Sequence, residues 1–352
     1  MTDEQNNSLL YLSRREVELA CRDVDSVAIV KEVFRLHATG QTVLPDEAYL
    51  GWTNEQGEQV RNLNMPGYLG GSWQCAGTKI INGNNNNAVR GLPRASGLTH
   101  LFDSISGRII CIMEGAYISS LRTASVSLLA AELFAGREIT CAALIGAGVQ
   151  AQAHIELLVK RRLLYPSLRQ IILFDIVEER AAKLHSTLLP ELETAGIDFT
   201  IVPTAEEAVR RGQLLVTVTT TTTGYVRYDW LQPGAVFVNI SLDDPLPEVV
   251  LRADKVVVDD WTLVRNDTRR LLGRMYRAKQ ILGPDEPEDS AHPCRRIDAQ
   301  LGEIITGQKV GREKDDEIIL VNPFGIAIED VALASIVYQE AQKRGSGIRL
   351  AR

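Results

Sequence analysis

The stretch Cys141–Asp175, CAALIGAGVQAQAHIELLVKRRLLYPSLRQIILFD, constrains the fold more than any other part of the chain. It reads as an apolar strand, a GxGxxA turn (Gly146, Gly148, Ala151), a helix, and a second apolar strand that ends in an acid. Gly146 permits a tight turn, Gly148 lets the backbone approach a diphosphate, and Ala151 allows close packing of helix on sheet. Unpaired N–H groups and the dipole at the start of that helix favour negative charge. Asp175 lies 24 residues beyond Ala151, about where a carboxylate accepts a hydrogen bond from a ribose 2′-hydroxyl. The same carboxylate repels a 2′-phosphate, and Arg180 is the first cation after it, so NAD is expected and NADP is the less favoured cofactor.

The pattern continues downstream. Helix 150–164, strand 170–175, helix 178–189, strand 199–202, helix 205–211 and strands 214–219, 235–240 and 255–260 alternate as βαβ units do, which predicts a Rossmann-type doubly wound parallel sheet. Thr217, Thr219, Thr220 and the threonines to Thr223 close one strand at the carboxyl edge where such sheets bind ligands. Threonine also suits strands for its branched Cβ alone. His154, on the helix after the glycine turn, is expected to be partly exposed. Residues 267–316, with GPDEPEDSAHP, read as a surface excursion, and EIILVNPF as a last strand before a helix near Ala327.

With 352 residues the chain has material for two domains. Ser13 and Glu16 form a capping box opening one amphipathic helix to about Gly40. From Val43 to Cys111 short β-type runs (AYLGW, RNLNMP, AGTKIING, SGLTHLFD, RIICIME) are broken by Gly, Asn and Pro, and Asn84–Asn87 is a turn. Ser119–Phe134 is small and apolar on nearly every face, as a buried helix bridging two domains would be. The expected organisation is a smaller strand-rich α+β domain for substrate binding and dimerisation, 1–117 with 325–352, and an α/β nucleotide domain, 118–324.

Several classes are excluded. A net charge of −7 opposes binding to nucleic acid. Cys21, Cys75, Cys111, Cys141 and Cys294 are an odd set without CxxC spacing, and His37, His100, His154, His185 and His292 have no ligand spacing, so neither a disulfide framework nor a metal site is expected. There is no GxSxG signature. The acidic start carries no signal-peptide pattern and no apolar run reaches the roughly 20 residues of a membrane span, so the cytoplasm is expected, without a membrane partner.

Seven ordered motifs resemble the ornithine cyclodeaminase/μ-crystallin family over nearly the whole chain: Leu63–Tyr68 (LNMPGY), Gly77–Ile81 (GTKII), Ser96–Leu98 (SGL), Leu101–Asp103 (LFD), Ile112–Gly115 (IMEG), Arg122–Ala124 (RTA), and Gly146–Gln152. The resemblance implies that Lys79 and Arg122 hold the carboxylate of an amino or imino acid next to the nicotinamide, with Met65 beside them and Lys79 also catalytic. A compact ammonium and a planar guanidinium fork suit that task. It implies an acid/base at Asp243, with Asp244 too close to separate from it, and the alternative that both cap a turn before Pro245. The implied cofactor contacts are Thr123, Gly146, Ala147, Gly148, Val149 and Gln150, then Asp175, Thr219, Thr220, Ser241 and Gly325. A homodimer is implied as well.

Two departures stand out. Where the family has an arginine near a proline, this chain has Glu47 in LPDEAYL, which suits a substrate with an extra amine or an internal pairing with a clamp cation. Where most members have a KSxG-like turn, it has Asn322-Pro-Phe-Gly325, a form resembling the branch that cleaves an N-substituted amino-acid conjugate to 2,3-diaminopropionate and a keto acid. The expected function is an NAD-dependent oxidoreductase at the C–N bond, with hydride transfer at Cα. The alternatives are a cyclodeaminase, which returns its hydride and releases ammonia, and a non-catalytic NAD(P)-dependent ligand-binding protein or accessory subunit.

Overall fold

The computed structural model describes residues 8–136, 138–287 and 294–351. His292 and part of the expected surface excursion, 288–293, lie outside the described residues, as do the first seven. The chain forms two compact units, 1–122 with 325–352, and 123–324.

The first unit begins with β1 (Ser8–Leu12), α1 (Arg14–Cys21) and α2 (Ser26–Ala38). The Glu16 carboxylate accepts the Ser13 backbone N–H at 2.7 Å, which opens α1. The expected single helix is broken at 22–25, because Asp25 caps a new helix by accepting the Ala28 N–H at 3.1 Å. The break lets α2 bury Val27, Val30, Val33 and Phe34 on its own axis. An antiparallel meander follows: β2 (Thr42–Val43), β3 (Ala48–Thr53), β4 (Gln59–Leu69), β5 (Cys75–Asn84), β6 (Ala95–Phe102) and β7 (Ile109–Glu114). Side chains alternate across a strand. Met65, Gly67 and Leu69, Cys75, Gly77 and Lys79, Thr99 and Leu101, and Cys111 and Met113 are thereby buried together on one face. Helix α3 (Ala116–Phe134) then carries the chain out of this unit.

The second unit contains β8 (Cys141–Ile145), α4 (Val149–Lys160), β9 (Gln170–Phe174), α5 (Glu178–Thr194), β10 (Asp198–Ile201), α6 (Ala205–Arg211) and β11 (Leu214–Thr217). Next come β12 (Val236–Asn239), α7 (Pro247–Arg252), β13 (Lys255–Val258), α8 (Trp261–Asn266) and α9 (Leu271–Arg277). The short elements β14 (Ile281–Leu282), β15 (Arg295–Arg296), β16 (Ala299–Gln300) and α10 (Leu301–Ile305) lead to β17 (Ile319–Val321). Eight strands form one parallel sheet in the order β10-β9-β8-β11-β12-β17-β13-β16. The order reverses between β8 and β11, the switch point where sheets of this kind open a crevice at their carboxyl ends.

Three expectations change here. The segment 267–316 is not simply a surface excursion, since Leu271, Leu272, Met275, Ile281, Ile297 and Leu301 are buried and β16 joins the parallel sheet. Helix α5 does not stop at Leu189 but runs through Pro190 to Thr194. A mid-helix proline costs about 3 kcal/mol or more, yet Leu184, Leu188 and Leu192 continue one apolar stripe that is worth burying. His154 is not partly exposed but fully buried, on the stripe Ala151, His154, Ile155 and Leu158 of α4. Its Nδ1 lies 2.7 Å from the Gln150 carbonyl oxygen and so must donate, which leaves Nε2 to accept the Ser127 hydroxyl at 2.8 Å. Burial pushes this imidazole down to about 4.

The chain then returns to the first unit with α11 (Ala327–Arg344) and β18 (Ile348–Ala351). Strand β1 pairs parallel with β7 and antiparallel with β18, giving the order β18-β1-β7-β6-β5-β4-β2, with β3 on β4. Helix α11 lies on β4 and β5. Opposed glycines make its approach possible: a Cβ at Gly67 would stand 2.8 Å from the Ile328 side chain, and one at Gly77 would stand 3.2 Å from that of Val331. This notch seats the first turn of α11 next to Lys79.

Candidate active site

Lys79 is only 1% exposed, between Met65 on β4 and Thr99 on β6. Its Nζ donates to Asp330 Oδ2 at 2.7 Å and to Ser119 Oγ at 3.4 Å. Arg122, one turn beyond Ser119 on α3, donates from Nη1 to Glu329 Oε2 at 3.0 Å, and its Nε stands 3.4 Å from Asp330 Oδ2. One oxygen of Asp330 thus serves both cations. Glu329 and Asp330 are fully buried in the first turn of α11, where acids also suit the helix dipole. Burial and the Arg122 charge lower the Lys79 pKa, partly opposed by Asp330 and by Glu47, which is near enough to be felt. Among the described residues, Thr99 Oγ1 and Asp330 Oδ1 are buried here without a hydrogen-bond partner. Gly325 (φ +91°) packs against the Arg122 guanidinium, where a Cβ would stand 2.5 Å from Nη1.

The glycine turn of the second unit is built from backbone. Gly146 has φ +104°, and a Cβ there would stand 3.0 Å from the Val218 carbonyl oxygen. A Cβ at Gly148 would meet nothing within 4 Å, so the space beside this residue is open. Gly148 precedes α4 and offers no side-chain cap, and Val149 is 64% exposed, so the first turn faces outward with its N–H groups. The Asp175 carboxylate accepts the Ala147 N–H at 2.7 Å and the Val177 N–H at 2.8 Å, tying the turn to the end of β9. Such a turn fits a dinucleotide diphosphate. Thr220 is exposed, Gln150 is half-buried, and Thr123 is buried in α3.

Beyond β11 and β12 a second polar group forms. Ser241 Oγ accepts the Thr219 N–H at 2.7 Å. Asp244 is fully buried, and its Oδ1 accepts the hydroxyls of Thr219 at 2.9 Å and Tyr225 at 2.8 Å, while Oδ2 has no hydrogen-bond partner among the described residues. Burial raises its pKa above the usual carboxylate range. Asp243 has a different partner: Arg274 grips it at two points, Nη2 to Oδ1 at 2.8 Å and Nη1 to Oδ2 at 3.3 Å. The NPFG segment is held by Asn322, which accepts from Asn239 at 2.9 Å, by Asp259, which accepts the Phe324 N–H at 2.8 Å, and by Arg270 over the Phe324 ring at 4.3 Å.

Sequence reasoning assigned no role to Glu329, Asp330, Ser119, Tyr225 or Arg274. For the first two a signal exists: adjacent acids within an otherwise apolar helical run, AIEDVALAS, fall on positions that must be buried and therefore need cationic partners.

A family model described as ornithine cyclodeaminase/μ-crystallin matches residues 8–345. The chain belongs to this family. Within it the chain is 33% identical, over 98% of its length and 99% of the relative's, to N-((2S)-2-amino-2-carboxyethyl)-L-glutamate dehydrogenase of Staphylococcus aureus. Among solved structures it resembles the Thermococcus litoralis Δ(1)-pyrroline-2-carboxylate reductase in complex with NADH and L-proline, with TM-score 0.83, 26% identity, and coverage of 97% and 100% of the two chains. An archaeal alanine dehydrogenase dimer with bound NAD matches with TM-score 0.79, 28% identity, and coverage of 97% and 99%. The doubly wound sheet and strand-rich unit are the architecture these relatives share.

Proposed function

We propose that this chain is an NAD-dependent oxidoreductase acting on the carbon–nitrogen bond of an amino or imino acid. The observation that carries the reading is the convergence of Lys79 and Arg122, two buried cations from different elements, in a chain that also has a glycine turn shaped for a dinucleotide. NAD, when bound, supplies the hydride acceptor. The turn at Gly146–Val149 would hold its diphosphate and Asp175 its ribose, and Asp175 with no adjacent cation favours NAD over NADP. Thr219, Thr220 and Ser241 follow strands at the same carboxyl edge, and Thr123 and Gln150 complete the proposed cofactor set of this unit.

Arg122 offers the substrate carboxylate a planar fork and Lys79 a point charge, over a floor containing Met65. Lys79 exchanges a proton with the substrate nitrogen, which its lowered pKa makes easier. Asp243 and Asp244 remain the carboxylates proposed for proton work in the second unit. Asp244 has the raised pKa expected of a group with a proton to give. Lys79 and Arg122 stand against three anions, Glu47, Glu329 and Asp330, so a plain anion is poorly matched and a substrate carrying an additional amine is well matched. The N-substituted amino acid named for the Staphylococcus aureus relative carries such an additional amine, together with further carboxylates that call for the Lys79 and Arg122 cations.

A homodimer in the cytoplasm completes the reading. It is supported by the dimeric alanine dehydrogenase and by Tyr49, Leu50 and Trp52, which stand 52%, 59% and 42% exposed along β3. Among the described residues no helix is long and apolar enough to cross a membrane. The proposed role of 1–117 with 325–352 is substrate binding and dimerisation, and that of 118–324 is cofactor binding.

The test mixes protein and NAD⁺ with amino acids and N-carboxyalkyl amino acids, following NADH at 340 nm and ammonia in parallel. Net NADH is expected with an N-carboxyalkyl amino acid. Ammonia without net NADH would mean a cyclodeaminase, and neither signal a ligand-binding protein.

A further inference from the structure

Among the buried ionic groups, Asp330 has the least ordinary arrangement. A carboxylate in the first turn of a helix is usually explained by the helix dipole alone. Here it is fully buried, and one oxygen takes both the Lys79 ammonium at 2.7 Å and the Arg122 Nε at 3.4 Å. The opposed glycines at 67 and 77 bring it there.

We propose that Asp330 is a positioning residue: through its shared oxygen it fixes Lys79 against Arg122 and keeps Lys79 in the charged state from which a proton can be given to a substrate nitrogen. The reason lies in which charges remain when that proton leaves. If Asp330 served Lys79 alone, proton transfer would strand a buried carboxylate beside a neutral amine, which is costly in a medium of low polarity. Arg122 cannot lose its charge and stays on the same oxygen, so Asp330 remains compensated on either side of the transfer. The groups facing Lys79 are Asp330 with its neighbour Glu329 from α11, Ser119 and Arg122 from α3, Glu47 from the segment before β3, Met65 from β4 and Thr99 from β6. Among them Asp330 is the anion in direct contact.

The part concerning substrate rests on the proposed function, but the state of Lys79 can be read without turnover. Lysine labelled with ¹⁵N at Nζ reports the titration of Lys79 by NMR, its signal assigned by loss in Lys79→Arg. Asp330→Asn should lower the Lys79 titration by about one pH unit or more, and move the corresponding limb of the kcat/KM profile by the same amount. Asp330→Glu keeps the charge and should hold the titration within about half a unit of wild type, with part of the rate restored. Glu329→Gln, which removes an acid paired with Arg122 rather than with Lys79, should leave Lys79 near wild type. An unchanged titration in folded Asp330→Asn overturns the proposal. Should that variant fail to fold, a titration in Asp330→Glu that falls by one unit or more overturns it equally. If no substrate is turned over while the titrations behave as described, the proposed function fails and the role of Asp330 stands.

Discussion

The two candidate sites of this chain are made of different materials. In the second unit the glycine turn presents backbone N–H groups, with no side chains at Gly146 and Gly148. In the first unit the cluster consists of charged side chains, Lys79 from β5, Arg122 from α3, and Glu329 and Asp330 from α11, brought in from positions up to 251 residues apart. A backbone site tolerates almost any neighbour provided nothing intrudes. A side-chain site is a balance of charges, and removing one member leaves the others buried and uncompensated. Damage to the first should therefore appear as lost binding with an intact fold, and damage to the second as lost chemistry combined with lost stability.

The sharpest way to break this contrast is Lys79→Met. It removes the proposed proton carrier and one of two buried cations. Turnover of the amino-acid substrate is expected to fall about 10²–10⁴-fold, and stability by about 3–5 kcal/mol. NADH affinity, followed by its fluorescence, should stay within about threefold, because uncoupled sites are independent. A comparable loss of NADH binding would show that the two sites are not separable.

Gly148→Val is the counterpart. Its backbone is ordinary (φ −94°) and the added Cβ meets nothing within 4 Å, so the melting temperature should hardly move. NAD⁺ affinity measured by calorimetry should nevertheless fall by about tenfold to a hundredfold, since the side chain stands where the diphosphate approaches. Gly146→Val supplies the contrast within the turn: at φ +104° with a carbonyl 3.0 Å from its Cβ, it should lower stability as well as binding. A smaller effect is expected for Arg122→Lys, which keeps the charge but loses the fork. KM for the amino acid should rise roughly tenfold with less change in kcat.

The last test concerns His154, a buried polar group that belongs to neither site. Its imidazole is ordinarily half-protonated near 6.5 and in the folded chain only near 4. The unfolded chain therefore binds the extra proton first as pH falls. The stability this group contributes is complete above 6.5 and is lost between 6.5 and 4, at most about 3 kcal/mol. Urea denaturation across that interval should show a decline that His154→Gln reduces. An equal decline in both proteins would assign the effect to other groups.

Much of the second unit was legible because its information is local. Strand and helix periods, the glycine spacing and the acid ending β9 lie within 35 residues, and each follows from short-range sterics. What was missed there arose from tertiary packing: α5 continues through Pro190 because Leu192 has a core to enter, and His154 is buried because Ser127 waits on another helix. In the first unit the antiparallel runs were visible, but β1 and β18 were not. They are short and become strands only by pairing with each other and with β7.

The same division holds for function. By itself the sequence determined that a glycine turn of GxGxxA form follows a strand and that Glu47, Lys79 and Arg122 stand in motifs resembling the family's, since these are matters of residue identity and spacing. Only the tertiary structure decided that Asp330 shares one oxygen between Lys79 and Arg122, that Arg274 takes Asp243, and that Asp244 is held instead by two hydroxyls. Charge balance in a buried site depends on distance and solvent exclusion, and neither is a property of any short stretch of chain.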